Sequence, residues 1–136
     1  MRPAEVAGHW GYLRAVAEAL EAAGLPVADW RADPGVPRDG WIPFDRGRPS
    51  VVTWEHDQAG LSWSEVDGWS LLLINTPGRR TAVRLPVPLV AAPFSLVQAV
   101  AAQAGHFLQP GDSPTSMDFD GPPGTPEFEH ALSRYA

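Results

Sequence analysis

The dipeptide Asp67-Gly68 stands between two apolar runs, residues 61–66 and 69–75, and it narrows the choice of folds more than any other feature of the chain. An Asp-Gly pair between alternating runs signals a two-residue hairpin, because a type I′ turn needs positive φ at both central positions and Gly adopts it freely. With that turn, Trp63 faces Leu72 and Leu61 faces Ile74 on one side of the sheet, while Val66 faces Trp69 on the other, with Leu71 and Leu73 beyond. The pair is then apolar on both faces. A sheet packed by helices on one face normally solvates the other, so Trp69, Leu71 and Leu73 are expected to meet a partner, a second copy of the chain or its own tail.

Around this hairpin the β-branched and aromatic runs predict further strands over residues 27–33, 41–45, 50–56 and 81–87. A four-residue loop at 57–60 would set Trp54 opposite Trp63 and Val52 opposite Glu65, and Pro86 and Pro88 suit the end of an edge strand. The expected sheet is an antiparallel meander of about five or six strands. Apolar residues at three- and four-residue steps, from Val6 and Trp10 through Leu13, Val16, Ala17 and Leu20, predict a helix over 4–23 that stops at Gly24. A second helix begins at Pro93 and runs to about Ala104, with Phe94, Val97, Val100 and Ala101 on its core stripe. Prolines and glycines between Gln109 and Gly124 prevent a long element, after which Thr125 caps a short helix carrying Phe128, Leu132 and Tyr135 at steps of four and three. So short a helix needs a surface to cover its stripe, in cis or on another chain. The reading is an α+β domain over 1–108, then a Pro/Gly-rich linker and amphipathic tail over 109–136, with Trp10, Leu13, Leu20, Val52, Trp54, Trp63, Leu72 and Ile74 sharing the core.

Three stretches, GYLRAVAEALEAAGLPVADW, RADPGVPRDGWIPF and LSWSEVDGWSLL, carry a resemblance that covers roughly residues 9 to 105. An N-terminal helix, an Asp-Pro then Pro-Arg-Asp loop and a hairpin with Trp63, Gly68 and Trp69 in a Trp-x-x-x-x-Gly-Trp pattern resemble a small family of unknown function found in streptomycetes and related actinobacteria. The resemblance implies the fold and carries no catalytic residues with it.

Sixteen acidic against ten basic residues give a formal charge of −6, which disfavours nucleic acid as a partner, since backbone affinity comes from cations that displace counterions. No apolar run reaches the length of a membrane span and the N-terminal stretch is too amphipathic for a secretory signal, so a cytoplasmic protein with no membrane partner is expected. The chain has no Cys, which excludes disulfides, thiolate metal sites and Cys nucleophiles. His9, His56, His106 and His130 lack the spacing of a zinc site, and Asp118 with Asp120 has no further ligands beside it. Ser62, Ser64 and Ser70 lie on strands without a nucleophile elbow. No glycine loop cradles a phosphate, so neither metal nor cofactor is expected. In the loop Arg38-Asp39-Gly40, Arg38 is expected to pair with a nearby carboxylate and pin the chain.

The absence of a catalytic constellation favours a non-enzymatic protein-binding or adaptor protein that uses Trp69, Leu71 and Leu73 together with Phe128, Leu132 and Tyr135. The same apolar strip, self-complementary in a two-fold arrangement, makes a homodimer the expected state. The alternative is a small-molecule binding protein or minor enzyme with a pocket lined by Trp30, Trp41 or Trp54 and oriented by Arg38 and His56.

Overall fold

The computed structural model describes residues 9–35, 37–75, 78–106, 119 and 121–135. Helix α1, Trp10–Ala22, buries Tyr12, Leu13, Val16, Ala17 and Leu20. It ends where Gly24 takes φ +86°, a conformation that also brings the backbone within 2.7 Å, measured from an added Cβ, of a Val51 methyl. The stripe is rotated from the one expected. Tyr12 occupies the core, whereas Trp10 stays 39% exposed and packs edge-on against Trp30 at 4.9 Å. A phenol tolerates full burial when its hydroxyl is satisfied. Tyr12 donates to the Ala91 carbonyl at 2.6 Å and accepts from the Trp69 indole N–H at 3.1 Å.

Five antiparallel strands follow in meander order: β1, Arg31–Asp33; β2, Asp39–Pro43; β3, Gln58–Ser64; β4, Gly68–Asn75; and β5, Arg79–Arg84. The central hairpin is real, but its register differs from the expected one. Ser64 pairs with Gly68, so Trp63 faces Trp69, Leu61 faces Leu71 and Ala59 faces Leu73. Gly68 still supplies the positive φ, +79°, but as the last residue of a longer turn. Two contacts select that turn. The Ser64 hydroxyl accepts from the amides of Val66 and Asp67, at 3.1 and 3.4 Å, and the Glu65 amide is drawn to the Arg38 carbonyl at 3.0 Å. An odd shift in pairing moves one strand's side chains to the opposite face. Trp69 and Leu71 therefore join Trp63 in the core, and Leu72 and Ile74 turn to the other side of the sheet.

The segment 50–56 is not a strand; β2 takes its expected place beside β3, with Ile42 facing Leu61 and Gly40 facing Trp63. Its backbone donors go elsewhere, Val51 N–H to the Gly24 carbonyl at 2.9 Å and Val52 N–H to the Ser50 hydroxyl at 3.2 Å. Upstream, Arg48 holds the loop by donating to Glu21 and to Asp45. Val83 pairs with Leu71 and so shares the face of Trp63.

Helix α2, Pro93–Gln103, buries Leu96, Val97, Val100 and Ala101 and packs beside α1. Helix α3, Pro126–Ser133, is capped by the Thr125 hydroxyl, which accepts from the Phe128 amide at 3.2 Å. Phe128 and Leu132 are fully buried in the same core as Trp63 and Trp69, so within this structure the tail docks in cis. Tyr135 follows them, its ring 5.0 Å from that of Tyr12. All three helices thus bear on one face of the sheet; Leu13 of α1 comes so close that a Cβ at Gly40 would sit 2.7 Å from it.

Candidate functional site

The opposite face of the sheet is covered by none of the described elements. Its side chains run in rows across the strands: Arg31, Trp41, Ser62, Ser70 and Arg84 in one, and Pro43, Gly60, Leu72 and Ala82 in the next. A third row holds Gln58, Ile74 and Arg80. The Trp41 indole closes on bare backbone: a Cβ at Gly60 would meet two of its ring atoms at 2.6 and 2.9 Å. Trp41, Leu72 and Ile74 are half-buried, while Arg31, Arg80 and Arg84 are exposed. None of these three arginines makes an ion pair with a described residue. Asp33 and Asp39 face each other at the β1–β2 corner, and partial burial together with the neighbouring Asp33 carboxyl raises Asp39 above its usual range. The face is acidic at that corner, apolar at its centre and basic along β5.

Arg38 belongs to a different assembly. Its guanidinium donates to both Glu65 carboxylate oxygens, at 3.1 and 3.2 Å, and to both Glu129 oxygens, at 3.2 and 2.5 Å, and it lies 5.6 Å from the centre of the Phe128 ring. Glu129, and then Glu65, hold the guanidinium above even its ordinary high range. Burial pushes Glu65 up, but the Arg38 side chain and amide outweigh it and leave the carboxyl below its usual range. The expected pairing of Arg38 with a carboxylate is present, doubled, and it ties the turn after β3 to the tail helix. Nearby, His9 is fully buried and stacks on Trp63 at 5.4 Å, with its Nε2 2.6 Å from the Asp39 carbonyl. Burial lowers its pKa.

Of the five residues expected to line or orient a pocket, Trp54 and His56 come together and the other three are scattered. Trp30 packs on Trp10, Arg38 is saturated by two glutamates, Trp41 lies on the open face, and His56 lines a cleft of about 310 Å³ beside Trp54. Of the residues expected to meet a partner, Trp69 and Leu71 are interior and Leu73 is half-buried on the same covered face. The face that is open instead carries Leu72 and Ile74, which sequence reasoning assigned to the core; the signal missed was Ser64, whose hydroxyl favours the longer turn. Asp118 and Asp120 lie outside the described residues. Among the described residues no group of three or more His, Asp or Glu side chains is placed to hold a metal, and no helix is long and apolar enough to cross a membrane.

Residues 12–102, from Tyr12 of α1 almost to the end of α2, match the family described as Family of unknown function (DUF6292). The chain belongs to DUF6292. Searches of curated proteins and of solved structures found no match. The DUF6292 span includes all five strands, hence the whole open face, and both Arg38 and Glu65, but not Glu129 or the rest of the tail helix.

Proposed function

We propose that this protein is a non-enzymatic binding module of the cytoplasm that engages a partner protein through the open face of its sheet. The observation that carries the reading is Trp41, a half-exposed indole seated on Gly60 beside Leu72 and Ile74, on a face that no described element covers. Aromatic side chains in such settings supply large contact area at low entropic cost and dominate binding energies. Arg80 and Arg84 along β5, which make no ion pair with a described residue, favour a partner segment that alternates apolar and acidic residues, in a chain whose overall charge repels acidic surfaces elsewhere. Trp69 and Leu71 are interior and offer no surface for a partner, so the open face takes the place of that strip in the reading.

Affinity capture from the native host, with wild-type, Trp41→Ala and Arg84→Glu baits, tests it. A partner held by the wild type and lost from both variants, while all three keep the same circular dichroism spectrum, is the expected result. Equal capture by all three, with the bait held through another surface, would remove the open face from consideration.

A further inference from the structure

We infer a second, independent site: the cleft between the 53–56 loop, the end of β4 and the C-terminal end of α2 is built to take a small organic ammonium ion. Its volume is about 310 Å³, at the lower bound of cavities that hold small ligands, and its walls include Trp54, Glu55, His56, Leu71, Leu73 and Gln103. Each wall contributes something a quaternary or primary amine would use. Leu71 and Leu73 give an apolar floor for methyl or methylene groups. Trp54, which also lines the cleft, is held in place by stacking on Phe44, with centroids 5.6 Å apart and planes at 18°, and an indole is the aromatic that attracts a cation most strongly.

Charge selects the sign of the ligand. Among the described residues Glu55 is the one formally charged side chain lining the cleft, and it makes no ion pair with any of them. The helix end at Ala104, which also lines the cleft, adds the partial negative charge of aligned carbonyls. An anion would meet repulsion from both. His56 completes the wall with its ring, whose Nδ1 is closed to solvent and has no hydrogen-bond partner among the described residues.

Choline and its neutral carbon isostere, 3,3-dimethylbutan-1-ol, differ only in replacing the charged nitrogen by carbon, and titrating each into the full chain under heteronuclear NMR tests the proposal. The expected result is saturable shifts at the Leu73 and Gln103 amides and the Trp54 indole, with choline binding about fivefold to tenfold more tightly than the alcohol. Glu55→Gln should bring choline down to the affinity of the alcohol, and Trp54→Leu should abolish both. Because Trp54 also packs on Phe44, the exposed Glu55→Gln change is the deciding variant should Trp54→Leu unfold the protein. Equal affinity for the two compounds, no saturable shift at millimolar concentration, or shifts confined to residues outside the cleft would overturn the assignment.

Discussion

Tyr12 joins three parts of the molecule through one oxygen, since its hydroxyl bonds the Ala91 carbonyl before α2 and the Trp69 indole on β4. Tyr12→Phe keeps the ring and leaves the Trp69 N–H buried with no acceptor from the phenol. The expected cost is about 1–3 kcal/mol, read as a lower urea midpoint with an unchanged slope. Trp63→Ala should cost more, roughly 3–5 kcal/mol, because it empties a fully buried site and frees the Leu89 carbonyl that the indole N–H now bonds at 2.8 Å. His9 gives the fold a pH dependence. Its folded pKa lies below the ordinary 6.5, so as pH falls through that value the unfolded chain takes up a proton that the native state refuses. Stability contributed this way is complete above 6.5 and declines below it. Denaturation midpoints should fall from about pH 7 to about pH 5.5, and His9→Gln should flatten the profile over that window. Asp39 acts with the opposite sign, because a carboxyl raised in the folded state binds protons there more readily than when unfolded, but it does so nearer the carboxylate range.

At the scale of elements, what could be read from the sequence was whatever is decided locally. The helices announced themselves by stripes and punctuation: Gly24 after the first, Pro93 opening the second, Thr125 and Pro126 opening the third. Five of the six strand runs and their antiparallel meander were also legible. The hairpin register was not, because Asp67-Gly68 suits either a two-residue turn or the end of a longer one. Ser64 and the distant Arg38 decide between them, and the latter contact spans 27 residues. Strand propensity in 50–56 was overridden in the same way, by Arg48 reaching back to Glu21 on α1. The candidate site inherited both errors: Trp41 was recognised as a binding residue, but its neighbours Leu72 and Ile74 had been placed on the wrong side. For the tail, hydrogen exchange gives the direct check. Amides from Glu129 to Leu132 should be protected to nearly the global unfolding energy, because opening α3 uncovers Phe128 and Leu132. Phe128→Asp should destabilise the whole domain and not only release the helix.

For the whole molecule, the meander is local in sequence, whereas α1 meets α3 across nearly the full chain. Fifteen prolines add a second kinetic factor. If each X–Pro bond is cis in roughly 10–30% of unfolded molecules, most refolding chains carry at least one wrong isomer. Refolding from urea should therefore be dominated by a phase of tens of seconds, accelerated by a prolyl isomerase, while a double-jump experiment that refolds chains seconds after unfolding should recover a fast majority. The neighbourhood of Tyr12 and Tyr135 has a practical corollary. Their rings lie 5.0 Å apart, so the start of α1 and the residues just after α3 are neighbours. Joining them through a short flexible bridge and opening the backbone at the exposed Arg46-Gly47 turn should yield a circular permutant with the same strand order and the same uncovered face.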